Sequence, residues 1–248
     1  FLHSVMIQER RGLFKRWNIV LMILTYSLVI LGTFLTRSGV LSSVHAFAES
    51  AIGPLFFAFI SISFIVSLGL LLYRWNDLQA EGQVNSILSR EALFLFNNLL
   101  FMGILAVCLW GVTYPLISEL FTGQKVTVGP PFYERASGPL WGGLIFLMGI
   151  APLSAWGKST LSTLGRAMWL PLAGSLLVVA AVLLLGVRSP LAILAFWLCA
   201  LTLFITLSQY IRGVAGRSRT AGEPWPVALW RTGGRNRRRY GGYIIHLA

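Results

Sequence analysis

Long stretches without a single charge alternate with short basic stretches along the whole chain, and this alternation limits the possible folds more than any other feature. Six apolar runs can be delimited: Asn18 to Leu35, Ile52 to Tyr73, Ala92 to Ile117, Leu140 to Trp156, Met168 to Val187 and Leu191 to Ile211. Each has roughly the 17 to 25 residues that a helix needs to cross a bilayer core of about 30 Å. Inside hydrocarbon every backbone amide must find its partner within the protein, so runs of this kind fold as helices. The chain is read as all-α, a polytopic transmembrane helix bundle with six complete spans. Two truncated spans flank them, Phe1 to Ile7 and Tyr240 to Ala248. With no initiator Met and an apolar run just opening at His246-Leu247-Ala248, residues 1–248 read as a single transmembrane domain, a fragment of a longer chain. Internal Pro54, Pro115 and Pro152 fall near the ends of the runs, where a missing backbone donor costs least.

The charges then acquire a meaning. Twenty Lys and Arg against eight Asp and Glu give a net charge of +12, which in a soluble domain would point to nucleic acid. Here the positive residues lie between the apolar runs, so no nucleic-acid partner is implied. Sorted into alternate loops, 16 of the 20 fall on one side, including Arg10, Arg11, Lys15 and Arg16 and the eight arginines from Arg212 to Arg239. The positive-inside rule makes that side cytoplasmic. The outside, or periplasmic, face then holds Thr36 to Ala51, the loop 118–139 and the short turn at Arg188-Ser189-Pro190. The basic loop 212–239, rich in Gly and Arg, reads as a solvated cytoplasmic segment that touches anionic lipid headgroups; a sharper reading places its last arginines beside the carboxylates of a bound cofactor.

Several chemistries are poorly supported. Cys108 and Cys199 lie in separate apolar runs, which suggests neither a disulfide framework nor a metal motif. The carboxylates are few and scattered, and no phosphate loop, nucleophile elbow or zinc spacing occurs. Asn97-Asn98, inside a span, is expected to hydrogen-bond between helices. Val128-Gly129-Pro130-Pro131-Phe132-Tyr133 reads as a rigid outside turn.

Only three histidines are present, so their positions carry weight. His3 precedes Glu9, where the first polar loop opens, by six residues, and His246 follows Arg239, where the last one closes, by seven. At about 1.5 Å per residue both imidazoles lie on the order of 10 Å inside the cytoplasmic boundary, on different helices at matched depth. Two neutral imidazoles across a planar macrocycle make a six-coordinate haem, with propionates near Arg10, Arg11 or the run Arg235 to Arg239. The other reading is two histidines hydrogen-bonded within the bundle; spacing does not choose between them. His45 lies in the outside loop, across the membrane from that pair, and reads either as a plain loop histidine or as a ligand for a flat hydrophobic molecule bordered by Val44 and Phe47.

Particular strings carry a resemblance. Leu2-His3-Ser4 with Gln8-Glu9-Arg10-Arg11-Gly12, the stretch Gly32-Thr33-Phe34-Leu35-Thr36-Arg37-Ser38-Gly39-Val40-Leu41-Ser42-Ser43-Val44-His45-Ala46-Phe47, Ser89-Arg90-Glu91-Ala92, Val128-Gly129-Pro130-Pro131 and Arg238-Arg239-Tyr240-Gly241-Gly242-Tyr243 up to His246 resemble the cytochrome c maturation protein F (CcmF) family. These are haem lyase subunits of the haem-handling protein superfamily, in the bacterial inner membrane. The resemblance implies that His3 and His246 are axial ligands of a resident haem b, with Arg10, Arg11, Arg238 and Arg239 as candidate propionate partners. It also implies that His45 is one of two outside histidines on the iron of the haem being delivered, in the catalytic position; its counterpart and a tryptophan-rich signature are expected upstream of Phe1. The activity implied is thioether formation between haem vinyl groups and the Cys-x-x-Cys-His of apocytochrome c. The implied partners are a haem chaperone, and apocytochrome c with its thiol-handling or chaperone subunit, and the implied active face is periplasmic. The haem b would supply reducing equivalents to the transient substrate haem. A membrane transporter of haem or a related substrate is the alternative; it calls for broken helices and polar residues at midplane, whereas the six runs have no charged residue near their centres.

Overall fold

A computed structural model describes residues 1–37 and 52–247 of the chain. Among them there is no strand, and the helices run in the order α1 (Leu2–Arg11), α2 (Lys15–Arg37), α3 (Ile52–Tyr73), α4 (Arg90–Thr122), α5 (Pro130–Ile150), α6 (Leu161–Leu184), α7 (Pro190–Ala221), α8 (Trp225–Arg235) and α9 (Arg237–Ile245). Six of these, α2 to α7, are long and apolar enough to cross a membrane; α2, α3, α4 and α7 each contain one of the apolar runs, while α5 and α6 end at Ile150 and Leu184, short of the run ends at Trp156 and Val187.

Three of the places where helices overrun the sequence boundaries have a clear local reason. Glu9, Arg10 and Arg11 remain in α1, and the chain reverses only at Gly12, whose φ of 65° closes the helix. At the outside segment 118–139, α4 passes through Pro115 to Thr122 and α5 begins at Pro130. Ser118 secures this end: its Oγ bonds to the Pro115 carbonyl at 3.0 Å and accepts from the Val126 amide at 2.9 Å. The basic segment 212–239 is also mostly helical. α7 continues to Ala221 and stops at Gly222, φ 64°, and α8 starts with Pro226 in its first turn, where the missing N–H is not needed.

The chain divides into two compact units, Phe1–Gln83 with Ala106–Tyr133, and Val84–Leu105 with Glu134–Ala248. In the first, α2 packs on α3 and α1 folds back on α2. The segment after α3 clasps this hairpin. Lys15 pairs with Glu81, the Glu81 amide donates to the Gly12 carbonyl at 3.2 Å, and the Arg16 guanidinium lies 4.3 Å from the centre of the Trp75 ring. The Lys15 hydrogen bond holds the Glu81 carboxyl below its ordinary pKa. α3 leaves Phe57, Ile62, Ile65, Leu70 and Leu72 exposed, an apolar face suited to lipid.

In the second unit α6 packs along α7 and α8 lies against α7. Small residues set these approaches, as expected where lipid provides no hydrophobic drive between helices. A Cβ on Gly174 would come within 3.1 Å of the Phe204 ring, and one on Gly149 within 3.0 Å of Thr202 Oγ1. That hydroxyl donates to the Ile145 carbonyl at 3.2 Å. Asn98 is 4% exposed, and its Nδ2 has no partner among the described residues.

Candidate functional site: two arginine–histidine helix faces

His3 occupies the first turn of α1 and is half-buried. Its neighbour Ser4 is fully buried. Asn18 of α2 fastens this turn, its Nδ2 donating to the Ser4 carbonyl at 3.3 Å and to Gln8 Oε1 at 2.6 Å. Helical residues seven apart return to the same face after about two turns. Arg10 therefore lies below His3 on one face of α1, and Arg11 lies beside it. Both arginines are exposed in the last turn, where positive charge also suits the negative end of the helix dipole.

The second unit repeats this arrangement in reverse. His246 closes α9 with helical φ and ψ and is half-buried. Arg239 precedes it by seven residues on the same helix. Tyr243 lies between them, and its hydroxyl accepts a hydrogen bond from Arg239 Nε at 3.0 Å. Arg239 Nη2 also reaches Gln209 Oε1 on α7 at 3.4 Å, and its guanidinium lies 5.6 and 5.8 Å from the Tyr240 and Tyr243 rings. Tyr240 is buried and meets Tyr210 of α7 edge-on at 5.0 Å. The approach needs Gly213, where a Cβ would fall 2.0 Å from the Tyr240 hydroxyl. Arg238 lies in the first turn of α9.

Of the residues singled out by sequence, His3, Arg10 and Arg11 share α1 in the first unit, while Arg238, Arg239 and His246 belong to α9 in the second. His45 lies outside the described residues. Among those described, no group of three or more His, Cys, Asp or Glu is placed to hold a metal ion; the arrangement offers single imidazoles, each with a cation about two turns away.

Reading by residue type missed two participants. Tyr243, part of a matching string but given no role, positions Arg239. Glu91, taken as one scattered carboxylate among several, is 3% exposed and accepts the Gly157 amide on both oxygens, at 3.0 and 3.1 Å. Beside it, the Arg90 amide donates to the Ala155 carbonyl at 3.0 Å, Arg90 Nη2 donates to the Pro152 carbonyl at 3.2 Å, and the guanidinium stacks over Trp156 at 5.2 Å. Ser89 Oγ accepts the Ala92 amide at 3.3 Å, so Ser89-Arg90-Glu91-Ala92 caps α4 and ties its start to the segment after α5. The signal available was the capping serine with an acid two residues later, directly before an apolar run.

Comparison with known proteins gives these strings their context. The chain is 37% identical to the cytochrome c-type biogenesis protein CycK of Bradyrhizobium diazoefficiens, across 99% of its own length and 37% of the relative's. It is 37% identical to the cytochrome c-type biogenesis protein ccl1 of Rhodobacter capsulatus, across 84% of its length and 32% of the relative's. The chain belongs to the CcmF family. The cytochrome c-type biogenesis protein CcmF of Escherichia coli K12 is 38% identical over 63% of the chain. The chain spans about a third of the length of the curated relatives that it matches most fully. No family profile matches it, and no solved structure does. Membership in CcmF and six helices able to span a membrane make it part of a multi-pass membrane protein of cytochrome c biogenesis.

Proposed function

We propose that this chain is part of a haem lyase of cytochrome c maturation, in which α1 and α9 hold a resident haem b and the segment around His45 holds the haem being delivered. The observation that carries the reading is the repeated spacing: His3 with Arg10 on α1, and Arg239 with His246 on α9. Each helix offers a half-buried imidazole and, about two turns away on the same face, a guanidinium. The separation is of the order of that between a haem's iron and its propionate edge, so the donor set fits such a group. Bound there, haem b supplies a one-electron redox centre whose potential depends on its axial ligands.

The residues divide the work. His3 and His246 would hold the iron of such a haem, and Asn18, through Ser4 and Gln8, fixes the turn that carries His3. Arg10 and Arg11 on one helix and Arg238 and Arg239 on the other stand as carboxylate partners, with Tyr243 and Gln209 setting the direction of the Arg239 guanidinium. At the periplasmic face of the inner membrane, His45 holds the iron of the substrate haem. Two thiols of apocytochrome c then add across the two vinyl groups: each S–H bond breaks, a C–S bond forms at one vinyl carbon, and the proton goes to the other. A haem chaperone supplies the substrate, and a thiol-handling subunit presents the apocytochrome.

The test is the visible absorption spectrum of the purified full-length protein. His3→Ala and His246→Ala each abolish a b-type signal present in the wild type; a spectrum unchanged in both variants means that other residues ligate the haem. His45→Ala keeps the signal and loses mature cytochrome c, and normal maturation in that variant removes His45 from the reaction.

A further inference from the structure

The basic segment after α7 contains a built concavity as well as charge. Arg217 of α7, Trp230, Arg231, Gly234 and Arg235 of α8, and Arg237 of α9 line an open pocket of about 410 Å³. Four guanidinium groups surround it with a single carboxylate nearby. Glu223 takes both Nε and Nη2 of Arg217, at 2.8 and 3.1 Å, and Nη1 of Arg231 at 2.6 Å. These bonds fix two of the arginines in position while neutralising only one positive charge. Arg237 is steadied by its Nε donating to the Gly234 carbonyl at 3.2 Å. The pocket therefore has fixed donors, a surplus of positive charge and room for a tetrahedral anion. Planar guanidinium groups bind phosphate oxygens in pairs.

The surroundings of the pocket indicate what kind of phosphate it suits. α8 packs on α7 through Ala228 and Thr232, which are 0% and 6% exposed. Its outer side nevertheless carries Trp225, Val227, Leu229 and Trp230, with Trp230 84% exposed. A free anion in water has no use for such an apolar fringe. At 32 residues, α7 is about 48 Å long by its rise per residue, well beyond a hydrocarbon core of about 30 Å. Its last turns, with Arg217, thus emerge into the headgroup layer, and α8 lies against them. Tryptophan concentrates at that layer, and an amphipathic helix with a basic edge lies in its plane.

We propose that the pocket formed by Arg217, Arg231, Arg235 and Arg237 binds the phosphate of an anionic membrane lipid, with Trp230 and its apolar neighbours on α8 set among the acyl chains. The occupant is a phospholipid of the leaflet in which this basic side lies. Such a lipid locks α8 against α7, and through α8 it steadies α9.

The test uses the full-length protein in nanodiscs of phosphatidylcholine, with and without phosphatidylglycerol. The variant is Arg235→Gln with Arg237→Gln, two exposed side chains outside the Glu223 cluster, so folding is preserved; an unchanged Tm in phosphatidylcholine alone verifies this. Phosphatidylglycerol raises the Tm of the wild type, and the double variant loses most of that rise. After detergent washing, the variant retains the anionic lipid on the order of ten-fold less well, as loss of two basic contacts implies. Equal retention by both proteins overturns the proposal. So does stabilisation by inorganic phosphate in phosphatidylcholine alone, which would mark a free-anion site. Loss of the haem b absorbance in the double variant would assign these arginines to the cofactor instead. Absence of that absorbance from the wild type would defeat the proposed function and leave the lipid result standing.

Discussion

Arg239 and His246 lie on one face of α9, about two helical turns apart, and Tyr243 stands between them with its hydroxyl 3.0 Å from Arg239 Nε. The tyrosine makes the arginine a fixed charge. With Gln209 on the other side, the guanidinium, although exposed, is held at a set distance from the imidazole. Coulomb interactions gain strength as the surrounding dielectric falls, so a cation fixed at this distance acts on any redox group that His246 ligates.

This relationship leads to the first prediction. Arg239→Gln in the full-length protein keeps the b-type absorption spectrum, because His246 is untouched, but lowers the haem reduction potential. Removing a nearby positive charge disfavours the reduced state, which carries one more negative charge. Redox titration followed at the haem bands measures the change. A potential equal to the wild type's would mean that Arg239 lies too far from the haem to act on it.

A second prediction concerns the reversal that positions α1. Gly12 has a φ of 65°, and a Cβ there would meet Glu81 Cβ and Oε2, each at 2.9 Å. A left-handed conformation costs a residue with a side chain roughly 1–2 kcal/mol, and the Glu81 backbone must also move, because a Cβ cannot swing aside. Gly12→Ala therefore destabilises the α1–α2 hairpin by about 2 kcal/mol or more. Thermal unfolding of the full-length protein shows it as a lower Tm. Haem retention falls in parallel, since His3 rides on the same helix.

The contrast between these two sites explains what the sequence could reveal. Spans were legible because bilayer thickness sets a run length and charge is excluded from hydrocarbon. The arginine–histidine spacing was legible because helical periodicity converts residue number into direction. Helix ends were less so. Glu9 to Arg11, much of the segment 118–139 and most of 212–239 are polar or basic and read as loops, yet they fold as helix because neighbouring elements bind them: Glu81 meets the reversal after α1, Ser118 ties the end of α4, and α7 supports α8. The Glu81 contact joins residues distant in sequence, and Ser118 acts through partners three and eight residues away.

A third prediction follows from the Glu223 cluster. Hydrogen bonds from Arg217, then from Arg231, hold its carboxyl down at about 2, against an ordinary value of 4.5. A depressed folded-state value means that the stabilisation is fully present above the unfolded value and disappears as the carboxylate is protonated. The turn between α7 and α8 is thus insensitive to pH above about 4.5 and loosens as pH falls from there through about 2. Hydrogen exchange over residues 217–231 measures this. Glu223→Gln gives the loosened pattern at neutral pH and flattens its acid dependence, and an acid response identical to the wild type's would place the titrating group elsewhere.

The last prediction tests whether the cap of α4 acts as a structural tie. Glu91 is 3% exposed, and both its oxygens face the Gly157 amide, at a residue whose φ is 84°. Removing the acceptor leaves that amide unpaired, which costs about 1–3 kcal/mol where water cannot replace the bond. Glu91→Ala therefore lowers the Tm clearly. Glu91→Gln lowers it less, because its amide oxygen still accepts from Gly157 although the charge is lost. Substituting Gly157 is no milder, since any side chain there is strained by the positive φ. A ligand of the delivered haem would behave differently: maturation would fail in Glu91→Gln with the Tm intact. If thermal unfolding instead orders the three proteins as wild type, Gln, Ala, with maturation falling only as stability falls, Glu91 is the residue that fastens α4 to the turn after α5.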